Sequence, residues 1–312
     1  MRRLKLPLIA LAFALTLTLI GCRSTTAAPV APVIQLSDLQ PLPTGASPEV
    51  LPLRVAVAAV ISPRGTVESY RPLLDYLGVK LNRPVELVQR RTYAEVNDLI
   101  KRGYVDLAFV CTSAYIAGHA NFGMELLAAP RVNGETVYYS VLIVPSDSPA
   151  RSMADLRAKV FAFTDPMSTS GRVYPTLLVR ELGSTPDQFF ARTYFTYNHD
   201  DAIRAVAQKL ADGAAVDSLV YDYALSRDPG LGKQIRIIQR SPPLGIPPVV
   251  VNPGLRPQLK AELRSALLGM SADAAGGQAA LQALGVEAFV PIDDSAYASV
   301  RTLLAQAGPV SP

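Results

Sequence analysis

The first regular pattern in the chain is the continuous apolar run LRVAVAAV at 53–60, which predicts a strand covered on both faces. Apolar positions at Val67, Tyr70, Leu73, Leu74 and Leu77 follow it at helical spacing. VELVQ at 85–89 reads as the next strand, and Thr92-x-x-Glu95 as a capping box opening a helix to Arg102, with Gly103 placed to end it. VDLAFVC at 105–111 returns as a buried strand. Strands alternating with helices over short links predict a parallel sheet with helices on its faces.

A second unit of the same kind begins after YYSVLIV (138–144) and the turn-rich PSDSP (145–149). Ser152-x-x-Asp155 opens a short helix, VFAFT (160–164) is a strand, and a helix follows STSG (168–171). Thr185, Pro186 and Asp187 mark another helix start; TYFTY (193–197) and AAVD (214–217) are strands around a helix at 201–210. IRIIQ (235–239) and the proline-framed PPLGIPPVVV (242–251) come next, then helical patterns at 257–270, 275–284 and 295–304. No third sheet is expected, so those last helices must pack on the existing lobes. The predicted architecture is α/β with two lobes: 53–144 and 247–312 form lobe one, 145–246 form lobe two, and two crossings make the hinge.

Composition changes this picture mainly at the start. Of 312 residues, the first 21 hold Arg2, Arg3 and Lys5, no acid, and an apolar run from Leu6 to Ile20 too short for a membrane span. This predicts a secretory signal at 1–21. Leu19-Ile20-Gly21-Cys22 resembles the lipobox of bacterial lipoproteins, which implies a diacylglyceryl thioether on Cys22 and a body anchored extracytoplasmically to a membrane. Residues 22–52, rich in Ala, Pro, Ser and Thr, read as a tether. Without Arg2, Arg3 and Lys5 the formal charge of +4 falls to +1, which removes the case for nucleic-acid binding. With Cys22 lipidated, Cys111 alone remains of the two cysteines, so no internal disulfide is expected.

Enzyme signals are missing: there is no P-loop, GxSxG, HExxH or CxxC pattern, and the two histidines, His119 and His199, are far apart. No cofactor and no metal site is expected. The most distinctive local chemistry is Asp165-Pro166-Met167-Ser168-Thr169-Ser170-Gly171, between a strand and a helix. Backbone N–H groups at a helix start, with three hydroxyls, make a neutral receptor for an oxyanion, although an ordinary N-cap loop has the same composition. Pro175 requires the helix to begin nearer Gly171 or to be distorted there.

SPRGTVESYRPLLDYLG (62–78), TYAEVNDLIKRGYVDLAFVCTSAY (92–115), YYSVLIVPSDSP (138–149), FAFTDPMSTSG (161–171) and HDDAIRAVAQKLADGAAVDSLVYD (199–222) together resemble the phosphate/phosphite/phosphonate substrate-binding proteins of ABC transporters. The resemblance runs from Leu53 to about Tyr297. It implies a type II-like periplasmic-binding-protein fold, each lobe a sheet flanked by helices, joined by a two-strand hinge. It further implies a small oxyanion ligand, an ABC permease as partner, and no catalysis. By the same resemblance Ser168, Thr169 and Ser170 hold the oxyanion, His199 and Asp217 face it, and lobe one adds Tyr93, Cys111, Thr112, Ser113 and Tyr115.

An Asp beside an anion repels it unless one of them carries a proton, so Asp217 favours a protonated oxyanion or an amine-bearing ligand. Each residue also has a structural reading: His199 as a helix-start residue, Asp217 as a turn former, Tyr93 as a core aromatic, Cys111 as a small buried hydrophobe. If Cys111 faces the cleft, its thiol suits a soft ligand such as trivalent arsenic, as in relatives that report to a histidine kinase. An enzyme with Cys111 as nucleophile and His199 as base lacks a third, orienting group.

Overall fold

The computed structural model describes residues 51–308. The expected signal, the lipidation site Cys22 and nearly all of the expected tether lie outside them. Among the described residues no helix is long and apolar enough to cross a membrane.

The strands are β1 (Leu53–Val57), β2 (Val85–Gln89), β3 (Leu107–Phe109), β4 (Glu125–Arg131), β5 (Val137–Tyr138), β6 (Ser140–Pro145), β7 (Val160–Phe163), β8 (Arg192–Phe195), β9 (Gly213–Asp217), β10 (Ile235–Arg240), β11 (Leu244–Gly245), β12 (Val249–Val251) and β13 (Ala288–Val290). The helices are α1 (Pro63–Leu81), α2 (Tyr93–Lys101), α3 (Thr112–Phe122), α4 (Tyr174–Glu181), α5 (Pro186–Phe189), α6 (His199–Ala207), α7 (Ser218–Arg227), α8 (Leu231–Gln234), α9 (Pro257–Leu268), α10 (Gly277–Leu284) and α11 (Ala298–Ala307). They build two lobes, each around one sheet.

The sheet of lobe one has the order β13-β4-β12-β3-β1-β2, and that of lobe two the order β10-β6-β9-β7-β8. The apolar run at β1 is continuous because both faces are covered. Leu53, Val55 and Val57 pack with Leu73 and Leu77 of α1, while Ala56 and Ala58 pack with Val96 and Ile100 of α2. Leu73 and Leu77 are fully buried, each contributing about 2 kcal/mol. Lobe two repeats the scheme: Leu142 and Val144 face α4, while Val141 and Ile143 face α6.

The parallel expectation holds on one side of each sheet, where β1 pairs with β2 and β3 and β7 pairs with β8 and β9. The other side of each sheet differs, because β12, β4 and β13, and β6 and β10, join antiparallel. β4 and β13 were not legible in the pattern. The first carries Pro130, which argues against a strand, and the second is only three residues long.

The crossings also move. β5 and β11 pair as the two-strand hinge, Leu244 opposite Tyr138 and Gly245 opposite Val137. Lobe one therefore ends before Ser140 rather than after Val144, since β6 pairs with β9 and β10. Gly245 has no room for a side chain: a Cβ there would lie 2.6 Å from the Ala296 carbonyl and 2.8 Å from the Tyr297 ring.

The expectation of two crossings is corrected as well. After β13 the chain passes the hinge, where Tyr297 donates its hydroxyl hydrogen to the Ile246 carbonyl at 3.2 Å. It then enters lobe two, and Val300, Leu303 and Ala307 of α11 join the cluster of Tyr174 and Leu178. Residues 298–307 thus pack on lobe two, because their apolar stripe complements α4 rather than the sheet of lobe one.

Candidate functional site

The carboxyl ends of the central strands meet between the lobes, where ligands bind in open α/β sheets. Strand-to-helix turns after β3, β7, β8 and β9 bring Cys111, Asp165 to Ser170, His199 and Asp217 to this cleft.

The turn after β7 is shaped by Gly171. The Thr164 N–H donates to the Gly171 carbonyl at 3.3 Å, and a Cβ on Gly171 would sit 1.9 Å from Thr164 Oγ1. Only a glycine lets the chain fold back this closely. Residues Thr169–Val173 form a wide π-type turn leading into α4, with Pro175 in its first turn. That is the distortion Pro175 called for, and such turns cluster at functional positions. Arg172 turns away onto aromatic rings, with its guanidinium 4.2 Å from the centre of Phe163.

Hydrogen-bond accounting fixes the donors here. The Asp217 N–H donates to His199 Nδ1 at 3.0 Å, which places the proton of the neutral imidazole on Nε2. Burial pushes the His199 pKa down to about 3, so the ring is neutral at physiological pH. Nε2 lies 3.4 Å from Ser168 Oγ, which also accepts from the Gly171 N–H at 3.0 Å. With both lone pairs of Ser168 engaged, its own hydrogen is free to donate. The N–H groups of Thr169 and Ser170 open the turn, where a helical segment has no internal acceptor for them. Ser168, Thr169 and Ser170 are all buried.

Lobe one meets this turn directly. Ser113 N–H donates to Thr169 Oγ1 at 3.0 Å, Cys111 Sγ lies 3.7 Å from the same oxygen, and Ser113 Oγ donates to the Met167 carbonyl. Tyr93 N–H donates to Asp165 Oδ2 at 3.1 Å. Farther along, Ser62 N–H donates to Asp200 Oδ1 at 2.7 Å and His199 N–H to the Val60 carbonyl at 2.9 Å. The lobes are closed on each other by these bonds.

Two polar side chains set the character of the junction, one unpartnered and one a helix cap. The Tyr93 hydroxyl is buried and has no hydrogen-bond partner among the described residues. It shares its surroundings with Cys111, Asp165, Asp217 and Tyr138, and burial holds its pKa far above the ordinary value. Asp217 caps α7, accepting from Leu219 N–H at 2.7 Å and Val220 N–H at 3.4 Å. Desolvation raises its pKa to about 7, so it is largely protonated below neutrality. Burial also raises the Cys111 pKa, which keeps the thiol protonated and weakly nucleophilic.

The expected residues therefore fall into two groups. Ser168, Thr169, Ser170, His199, Asp217, Tyr93, Cys111 and Ser113 converge on one buried junction. Thr112 and Tyr115 point elsewhere: Thr112 Oγ1 donates to the hinge carbonyl of Gly245 at 2.7 Å, and Tyr115 OH to Asp294 Oδ1 at 2.6 Å. Sequence reasoning missed Tyr138, whose hydroxyl lies beside those of Thr169 and Ser170, and the bridging role of Asp165 and Asp200. The aromatic pair opening YYSVLIV was the available signal for Tyr138. Among the described residues no group of three or more His, Cys, Asp or Glu is arranged to hold a metal ion.

Against known proteins, residues 55–297 match the family model described as ABC transporter, phosphonate, periplasmic substrate-binding protein. The phosphate-import protein PhnD of Mycolicibacterium smegmatis is 28% identical over 256 residues, covering 78% of this chain and 79% of that protein. Among solved structures, a binding-protein component of an ABC phosphonate transporter from Pseudomonas aeruginosa superimposes with a TM-score of 0.76 at 23% identity, over 80% of this chain and 84% of that one. PhnD1 of Prochlorococcus marinus, solved in complex with methylphosphonate, gives 0.73 at 17% identity, over 80% and 96%.

Proposed function

Given that the chain belongs to the periplasmic phosphonate substrate-binding proteins of ABC transporters, we propose that it captures a small tetrahedral phosphorus oxyanion, of phosphate, phosphite or phosphonate type, between Ser168–Ser170 and Tyr93. The observation that carries this reading is the buried, unpartnered Tyr93 hydroxyl at the junction of Cys111, Asp217 and Tyr138. A buried hydroxyl left unmade is unfavourable by about 1–3 kcal/mol, and an anion's oxygen removes that penalty. The other donors are neutral: Ser168 Oγ–H, the first N–H groups of the π-type turn, and the Tyr138 hydroxyl. His199 supports them through Ser168. Cys111 and Ser113 form the floor on the lobe-one side.

Neutral donors suit a carrier. Each net hydrogen bond to a charged group is worth about 1.5–3 kcal/mol, enough in sum for capture without the deep trap of a buried ion pair. Closure excludes water and strengthens each bond. Asp217, protonated below about pH 7, tolerates the anion there. Delivery to a permease, rather than to a sensor-kinase ectodomain, follows the family's description. The Leu19-Ile20-Gly21-Cys22 segment supports anchoring through Cys22, with the receptor held outside the cytoplasmic membrane.

Calorimetry with methylphosphonate and with inorganic phosphate tests the site. The wild type is expected to bind at least one of them, and Ser168→Ala combined with Thr169→Val to lose binding by about a hundredfold or more while keeping a cooperative thermal transition. Unchanged affinity in the double variant would remove these residues from the site.

A further inference from the structure

Between the lobes, with Asp217 on its wall, lies a cavity of about 360 Å³. At about 30 Å³ per water that is roughly a dozen molecules, far more than a tetrahedral anion alone displaces. It falls in the range of cavities that enclose whole organic ligands. Both lobes build it: Tyr70, Phe109 and Phe289 from lobe one face Leu219 and Val220 from lobe two, and Pro247 of the hinge return adds to the wall. Phe109 stands edge-on to Tyr70 at 5.1 Å and to Phe289 at 6.1 Å, so one wall is a continuous aromatic row.

Three of the hydroxyls on this wall are engaged with the protein itself, while the Asn133 and Asp222 side chains are exposed at the rim. Ser69 Oγ and Tyr223 OH hydrogen-bond to each other at 2.9 Å across the lobes, and Ser226 Oγ donates to the Tyr223 carbonyl at 2.7 Å. Asp217, shared by the cavity and the anion junction, is occupied as the cap of α7. No lysine or arginine lines the space. A ligand group placed there meets aromatic and aliphatic faces and finds few free hydrogen-bond partners, which selects against a polar or charged substituent.

We propose that the natural ligand is an oxyanion bearing a bulky apolar substituent, aryl or branched alkyl, which fills this cavity while its tetrahedral head occupies the junction at Ser168–Ser170. This deepens the proposed function and rests on it. The oxyanion sets whether a compound binds, and the cavity ranks compounds that share the same head.

Calorimetry on the full chain with methylphosphonate, phenylphosphonate, tert-butylphosphonate and aminomethylphosphonate tests the ranking. Phenylphosphonate and tert-butylphosphonate are expected to bind about tenfold or more tighter than methylphosphonate, the discrimination an apolar pocket provides for added hydrocarbon. Val286→Trp, which narrows the cavity at a half-buried lining position, is expected to erase that preference and leave methylphosphonate within about threefold. The wild-type series decides the question even if that variant does not fold. Equal or weaker binding of the bulky compounds beside clear methylphosphonate binding overturns the cavity's role and leaves the oxyanion reading standing. Tightest binding by aminomethylphosphonate overturns it in favour of a cationic substituent. Failure of all four to bind overturns this inference, and inorganic phosphate titrated alongside then decides the oxyanion reading: its binding leaves that reading standing and its failure to bind removes it.

Discussion

The two lobes begin their cleft-facing helices in opposite ways. In lobe two each start is capped from its own sequence. Ser168 Oγ accepts from Gly171 N–H at 3.0 Å, Asn198 Oδ1 from Asp201 N–H at 2.7 Å, and Asp217 Oδ1 from Leu219 N–H at 2.7 Å. In lobe one, Ser62 and Cys111 stand before α1 and α3 without any side-chain cap. The missing oxygens arrive from across the cleft: Asp200 reaches Ser62 N–H and Thr169 reaches Ser113 N–H. At α2 the local Thr92–Glu95 capping box is joined by Asp165 from lobe two. Lobe two draws on lobe one at one of these starts, where the His199 N–H donates to the Val60 carbonyl at 2.9 Å, whereas all three starts in lobe one receive an acceptor through closure. Clamping is thus built into the polar accounting of the protein, and in the proposed function a bound anion would add to it by engaging the Tyr93 hydroxyl, which closure leaves unpartnered.

The largest effect is expected from damage to the locally capped lobe. Gly171→Val places a side chain where a Cβ already meets Thr164 Oγ1 at 1.9 Å, so the π-type turn must be displaced. Loss of detectable anion binding and destabilisation of about 3 kcal/mol or more are expected in titration and chemical denaturation. Wild-type affinity in this variant would mean that the turn does not shape the site.

A smaller effect follows from Asp217. Its folded pKa, raised to about 7 by burial, lies above the unfolded value of about 4. Its contribution to stability is therefore present below about pH 4 and lost as the pH rises through about 7. Asp165, raised to about 6, acts with the same sign, whereas His199, lowered to about 3, loses stability as the pH falls below about 6.5. The difference between wild type and Asp217→Asn isolates the first of these, and relative to the wild type the variant should gain stability between about pH 4 and 7. Anion affinity of the wild type should also fall as the pH rises above 7, by up to about tenfold per unit, and Asp217→Asn should flatten that fall. Parallel profiles for the two proteins would contradict the assigned ionisation.

The smallest effect concerns the caps that cross the cleft. Asp200→Ala removes one charged acceptor from Ser62 N–H, a bond worth about 1.5–3 kcal/mol when made. Shared between closure and local order, it should weaken ligand binding by about fivefold to tenfold and enlarge the unliganded particle in solution scattering. Unchanged affinity and dimensions would show that cross-lobe capping does not bias closure.

Much of the candidate site's local structure was legible in the sequence because it lies on local signals. The strand VFAFT followed by hydroxyls and Gly171 marks the turn after β7, and Thr92-x-x-Glu95 marks the start of α2. What escaped depends on pairing between distant segments. β4 is a strand because β12 and β13 flank it, despite Pro130. Asp165 and Asp200 matter because a second lobe lies opposite them, and Tyr138 because the hinge strand delivers it to Thr169 and Ser170. Thr112 and Tyr115 were expected in the cleft from the family resemblance, but their positions on α3 aim them at the hinge and at Asp294.

The central claim is that neutral donors of the turn after β7, completed by Tyr93, hold the oxyanion. A crystal structure of the protein with methylphosphonate tests it most directly. Phosphonate oxygens are expected within hydrogen-bond distance of Ser168 Oγ, the Thr169 and Ser170 N–H groups and the Tyr93 hydroxyl. A phosphonate bound elsewhere, with the Tyr93 hydroxyl still unpartnered, would contradict it.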